Sequence, residues 1–299
     1  MIAILGSTGY IGCSLARLIA QNEEQRLTLF ARDLTKITLE AWPSNVSHSS
    51  LEKFDAGRFD LVINAIGVGD PSRVATTGTN IFELTRVWDQ CILSTMGTQT
   101  KYVYISSGAV YGSCLKQAVD ENSIVSLPIN QLVLASPYTL SKICAEAGHR
   151  YASDRAILDI RVFGYSDPSI SQSGSFFLSH LARSVATKCP LVTSHDDMVR
   201  DYAGVSELHA LIMSWLNSKS PNRAFDLYTR SPVSKLNLLD LVAKRYGVKI
   251  SYSKQIESTR PTKKTVYSSK YYAASEVGYT PWRTSTEVIL DTLDSIVRR

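Results

Sequence analysis

The chain opens Met1-Ile-Ala-Ile-Leu5-Gly6-Ser-Thr-Gly9-Tyr-Ile-Gly12, a short apolar run followed by three glycines at G-x-x-G-x-x-G spacing. No other stretch constrains the fold so tightly. Ile2, Ile4 and Leu5 read as a strand buried on both faces, as the central strand of a parallel sheet is. A sharp passage from strand to helix needs a positive φ, which Gly6 can supply, while Gly9 lets the backbone approach an anion and Gly12 lets the helix lie close to the sheet. The amides of this turn, from Ser7 and Thr8 through Tyr10 and Ile11, then face a pyrophosphate. A bare strand-to-helix turn without a ligand is the competing reading, and the rest of the chain decides between them.

Apolar residues at Ile11, Leu15, Leu18 and Ile19 continue the opening as a helix, and Leu27-Thr-Leu-Phe30 follows as a second strand. The residues after that strand, Ala31-Arg32-Asp33, fall where a dinucleotide fold meets the adenosine ribose. An acid there accepts a 2′-hydroxyl and an arginine accommodates a 2′-phosphate. Arg32 comes first, which favours NADP; Asp33 leaves NAD possible. Asp60 to Gly67 is a further strand whose small end, Asn64, Ala65, Ile66 and Gly67, lets a cofactor cross the carboxyl edge. Helix-like 80–95 and strand-like 102–112 continue the alternation, so the fold expected is α/β, a doubly wound parallel sheet of the Rossmann type. After residue 163 the alternation loosens. We expect 1–163 to form the dinucleotide-binding domain with 191–230 returning to it, and 164–299 to be mostly a smaller substrate-binding cap.

At 299 residues, 44% hydrophobic and 20% charged, the chain can bury a large core. Its net charge of +5 is dispersed, with no basic stripe interleaved with aromatics, which argues against nucleic acid. The five cysteines are scattered without a C-x-x-C pair, and the five histidines lie at no metal-ligand spacing, so a reducing, cytoplasmic setting and no metal are expected. No signal peptide or membrane-spanning run is expected either.

Ser136-Pro137-Tyr138-Thr-Leu-Ser-Lys142 carries the chemistry. Ser136 suits an N-cap and Pro137 a first helical turn, so Tyr138 and Lys142, four apart, project from one helix face. A phenol is a poor acid or base near neutrality, but an adjacent ammonium favours the phenolate and poises it for proton exchange with a carbonyl oxygen.

Together, the glycines at 6, 9 and 12, Ser107 within Ser-Gly-Ala-Val-Tyr111-Gly, and Tyr138-x-x-x-Lys142 resemble the extended short-chain dehydrogenase/reductases, and within them the NAD(P)-dependent nucleotide-sugar epimerases, dehydratases and reductases. Arg161-Val-Phe-Gly-Tyr, Val199-Arg-Asp-Tyr202 and the closing 268–281 stretch extend the likeness over nearly the whole chain. The resemblance implies that Ser107 hydrogen-bonds the reacting carbonyl, Tyr138 exchanges its proton, and Lys142 holds the nicotinamide ribose while tuning Tyr138. It implies a nucleotide-diphosphate sugar as substrate, with Arg200, Arg260 and Asn80 beside Ser107 as binding residues, and a homodimer.

Four features then narrow the reaction. Sugar dehydratases of this group carry Asp-Glu where Gly108 and Ala109 stand, reductases that also epimerise carry a cysteine at Ala109, and the usual substrate-facing Asn of the cap helix is replaced by Phe176. The fourth is Arg32, which favours an exchangeable NADPH and therefore net reduction of a keto sugar such as a 4-keto-6-deoxyhexose. A 4-epimerase with bound NAD is the alternative, and a non-catalytic NAD(P) sensor is the alternative of another class.

Overall fold

A computed structural model describes residues 1–38, 40–67, 81–112, 115–134, 136–219, 221–253 and 265–298. Strand β1 (Ile2–Leu5) runs through the centre, and its alternate side chains enter different cores. Ile4 packs with Leu15, Leu29 and Ile63 on one face of the sheet, while Ala3 and Leu5 join Phe30, Val62 and Tyr104 on the other. An apolar strand without polar alternation is accounted for by this double burial.

Helix α1 (Tyr10–Ala20) follows, then β2 (Leu27–Ala31), the short α2 (Thr35–Thr38), β3 (Val46–Ser50), β4 (Leu61–Asn64) and α3 (Ile81–Thr95). Next come β5 (Lys101–Ser107), α4 (Pro137–Tyr151) and β6 (Ile157–Val162), with β9 (Asn222–Leu227) returning later. These seven strands form one parallel sheet in the order β3-β2-β1-β4-β5-β6-β9. The winding direction reverses between β1 and β4, so the crevice at their carboxyl ends is where an open α/β sheet takes a ligand. The expected doubly wound architecture is what the chain forms.

The remainder comprises α5 (Phe177–Thr187), β7 (Leu191–Thr193), β8 (Val199–Arg200), α6 (Val205–Leu216), β10 (Val233–Ser234), α7 (Lys235–Tyr246), β11 (Ile250–Tyr252), β12 (Val266–Tyr267) and α8 (Ser285–Val297). Helices α5, α7 and α8 share a separate core through Leu181, Val185, Leu239, Val242, Ile289 and Leu293. Of the stretch 191–230 expected to rejoin the main sheet, β9 does so, and α6 packs its Leu208 and Leu211 into the main core. The stretch does not return as a whole: β7 pairs with β11, and β8 lies between β10 and β12. Among the described residues no helix is long and apolar enough to cross a membrane.

Candidate active site

The glycine turn is built as tightly as its spacing implies. Gly6 has φ +75°, and a Cβ on it would come within 2.8 Å of the Ala65 backbone, so the loops after β1 and β4 touch. A Cβ on Gly12 would lie 2.4 Å from the Gly6 carbonyl oxygen, which fixes the start of α1 against the turn. Gly9 is the N-cap of α1 and offers no side-chain cap. First-turn amides have no partner within their helix, so a turn walled only by backbone suits a diphosphate. Gly6 thus meets the Ala65 and Ile66 backbone at the crevice, and a turn walled by backbone there fits a dinucleotide's diphosphate.

Two of these side chains serve the protein instead. Ser7 Oγ donates to the Phe30 carbonyl at 3.1 Å, tying the turn to β2. The Tyr10 hydroxyl donates to the Asp167 carbonyl at 3.1 Å and accepts from the Asp167 amide at 2.7 Å, tying α1 to the segment after β6. At the end of β2, Arg32 is exposed. Asp33 Oδ1 accepts from the Thr35 amide at 3.1 Å and the Thr35 hydroxyl at 2.6 Å, so one of its two oxygens holds the next turn.

Helix α4 starts as its sequence specifies, with Ser136 Oγ accepting from the Thr139 amide at 3.4 Å and Pro137 in the first turn. Its sheet-facing stripe is polar: Lys142, Glu146 and His149 are all buried. Each finds a partner below. Lys142 Nζ donates to the Tyr104 hydroxyl at 3.0 Å and to the Ile105 carbonyl at 2.8 Å. Glu146 accepts from Ser106 Oγ at 2.5 Å and from Arg161 at 2.7 Å, and Arg161 also donates to the Tyr111 hydroxyl at 2.7 Å. His149 lies between Asp159 at 2.6 Å and Asp89 at 2.8 Å. Tyr111 in turn donates to Asp226 at 3.1 Å, and burial pushes that carboxyl up to about 6.

Ser107, 7% exposed, ends β5 and caps the turn that follows, accepting from the Ala109 amide at 3.2 Å. Protein surrounds the Tyr138 hydroxyl, although part of the residue's surface stays accessible. The sequence expectation for this phenol is reversed. Burial raises it from the ordinary tyrosine value, and the nearby Ser107 hydroxyl only opposes that rise. The Lys142 ammonium does not override burial, because it is directed at Tyr104 and Ile105 and lies 5.7 Å from the Tyr138 ring centre. Lys142 itself, 2% exposed, is brought down to about 8 by burial, against the pull of Glu146, Asp159 and Asp89. The site therefore presents a protonated phenol, a hydroxyl and an ammonium at the carboxyl end of β5.

Arg200, on β8, lies 5.5 Å over the ring of Tyr267, and the Tyr267 hydroxyl is 3.3 Å from Ser107 Oγ. Phe176 forms the N-cap of α5 and is 47% exposed. At position 108 a side chain would meet the buried Phe163 ring at 2.6 Å, so packing alone keeps an acid out. Asn80 and Arg260 lie outside the described residues. Sequence reasoning missed Tyr104, Glu146, His149, Asp226 and Tyr267. The i, i+4, i+7 spacing of Lys142, Glu146 and His149 was the available signal for three polar partners on one helix face.

The family model of the NAD dependent epimerase/dehydratase family matches residues 2–227. The chain belongs to that family. It is an enzyme of the extended short-chain dehydrogenase/reductase type, as its motifs imply. Among solved structures, the UDP-glucuronic acid 4-epimerase from Bacillus cereus, in complex with UDP-glucuronic acid and NAD, is similar at 16% identity, with 99% of each chain covered and a TM-score of 0.79. MoeE5 with UDP-glucuronic acid and NAD follows at 17% identity and TM-score 0.76, over 99% of each chain. The dTDP-glucose 4,6-dehydratase from Bacillus anthracis, with NAD, has 14% identity and TM-score 0.77, over 100% of this chain and 96% of that one. At these identities the likeness is one of fold. No curated protein matches the chain in sequence.

Proposed function

We propose that this family member reduces a nucleotide-linked keto sugar, such as a 4-keto-6-deoxyhexose, with NADPH. The placing of Tyr138 beside Ser107, with Lys142 one turn along the same helix face, supports the reading. Raised by burial, this phenol keeps its proton at neutral pH beside Ser107 and has it to donate. An acid is what a carbonyl oxygen requires as charge develops on it. When bound, the nicotinamide cofactor supplies the hydride. Gly6 to Gly12 with Ala65, Ile66 and Gly67 hold its diphosphate, Lys142 its nicotinamide ribose, and Arg32 its 2′-phosphate. Tyr138 donates the proton and Ser107 hydrogen-bonds the same oxygen. Arg200 binds the substrate diphosphate, since a guanidinium pairs bidentately with phosphate oxygens. The reading includes Asn80 and Arg260 as further substrate contacts, a smaller substrate-binding cap in the second half of the chain, and a cytoplasmic homodimer.

Arg32 yields a separate expectation. With Asp33 engaged by Thr35, Arg32→Ala removes the cation facing a 2′-phosphate, and a charged hydrogen bond contributes about 1.5–3 kcal/mol. The Kd for NADPH is expected to rise tenfold or more with that for NADH within about twofold, measured by fluorescence titration; equal changes for both would mean Arg32 does not face the phosphate.

A 4-epimerase with bound NAD is the second reading, favoured by the fold likeness to a UDP-glucuronic acid 4-epimerase that binds NAD. Incubation with NADPH and a dTDP- or UDP-linked 4-keto-6-deoxyhexose separates the two. Stoichiometric oxidation of cofactor supports the reductase. Isomerisation of UDP-glucose or UDP-glucuronic acid without net cofactor change overturns it.

A further inference from the structure

Ser107 has one proton to give and more than one neighbour to give it to. Its Oγ already accepts from the Ala109 amide at 3.2 Å, and Tyr138 stands close by. On another side stands Tyr267, a residue 160 positions away in sequence, with its hydroxyl 3.3 Å from the same oxygen. We propose, on the reading of Ser107 as the group that hydrogen-bonds the reacting oxygen, that Tyr267 is a positioning residue for Ser107: its hydroxyl donates to Ser107 Oγ and leaves the serine proton free to point at substrate.

Three observations support the assignment. The Tyr267 ring is immobilised: it is buried, tilts against Phe163 with ring centres 5.0 Å apart, and has the Arg200 guanidinium 5.5 Å over its face. A hydroxyl on so constrained a ring has a fixed position relative to Ser107. Burial, the largest influence, together with the nearby Tyr138 and Asp226, raises Tyr267 well above the ordinary tyrosine value even though Ser107 and Arg200 pull the other way, so it remains a donor at any working pH. Finally, a serine hydroxyl accepts through two lone pairs. With Ala109 on one and Tyr267 on the other, the serine's own hydrogen has no acceptor role to compete with and is directed outward. Tyr267 also links two parts of the proposed site, since the ring that orients Ser107 is the ring on which Arg200 lies.

The test is a cycle of Ser107→Ala, Tyr267→Phe and the double variant, assayed with NADPH and a dTDP-linked 4-keto-6-deoxyhexose, and with UDP-glucose for epimerisation. Phenylalanine keeps the ring against Phe163 and Arg200 and removes only the hydroxyl. The expected result is that Tyr267→Phe lowers kcat about tenfold with KM within twofold, and that it lowers kcat no further once Ser107 is alanine. Equal effects in both backgrounds, or no effect of Tyr267→Phe on kcat in the wild type, would overturn the proposal. Thermal unfolding of the same four proteins needs no substrate: non-additive midpoint shifts are expected, and additive ones overturn the contact itself. A wild type inactive on every substrate, or a Ser107→Ala variant of full activity, would instead remove the parent reading, and the thermal cycle would still decide the contact.

Discussion

Tyr138→Phe is expected to lower turnover by about 10²–10⁴-fold while leaving cofactor binding within about twofold. The hydroxyl removed is the one the site is arranged to keep protonated. It sits in protein surroundings that raise it above its ordinary value, next to a serine hydroxyl, with a buried lysine on the same helix face. Phenylalanine preserves the ring and the packing of α4, whose cap at Ser136 is independent of residue 138. The loss should therefore appear in kcat and be nearly absent from the unfolding midpoint. Steady-state kinetics with isothermal titration of NADPH measure both. A protein that senses cofactor without turning it over would bind NADPH and keep its biological effect after this substitution, and that outcome would falsify the catalytic reading.

What the sequence discloses here is what local backbone chemistry controls. Gly6 and Gly12 stand out because each is demanded within a few residues, one by a positive φ and one by contact with the turn itself. The cap at Ser136 and the pairing of Tyr138 with Lys142 on one face are equally local. Strand β3, Val46-Ser-His-Ser-Ser50, gave no such signal: at the sheet edge it needs no apolar alternation, and it is held by pairing with β2. The phenol's protonation went the other way from expectation for a related reason. Helical spacing shows that an ammonium is near, but only the fold shows that Tyr104 and Ile105 engage it and that burial dominates Tyr138. Tyr267 and Asp226 reach the site from strands far along the chain, where no pattern links them to Ser107 or Tyr111. The same packing makes Gly108 a requirement of Phe163, so a side chain at that position is opposed by the core beneath the site.

Replacing His149 should produce the largest change in stability. The imidazole is 0% exposed, and its two nitrogens face Asp159 at 2.6 Å and Asp89 at 2.8 Å. Tyr102 donates to Asp89 at 2.8 Å and Arg150 to Asp159 at 2.7 Å, so both carboxylates are held where the ring can donate to each. A neutral ring donates from one nitrogen only; two acceptors call for the imidazolium. Burial disfavours that charge, but the hydrogen bonds to Asp159 and Asp89 outweigh it and bring His149 up to about 9 from 6.5. Because the folded value is raised, the stabilisation is fully present below pH 6.5 and is lost as pH climbs through about 9, a contribution of about 3 kcal/mol. Lys142, lowered to about 8, contributes the opposite slope above that pH, so the quantity to measure is the difference between wild type and variant. His149→Leu leaves two buried carboxylates facing each other without a cation between them, and removing one partner of a buried ion pair costs about 3–5 kcal/mol. Urea unfolding at pH 6.5 and pH 9 should give a gap of that size at the lower pH, shrinking towards the higher. Should His149→Leu fail to fold, adding Asp89→Asn removes one of the two opposed charges and should recover folding. A gap that is the same at both pH values would mean the ring is neutral in the folded protein and the helix stripe is held by packing alone.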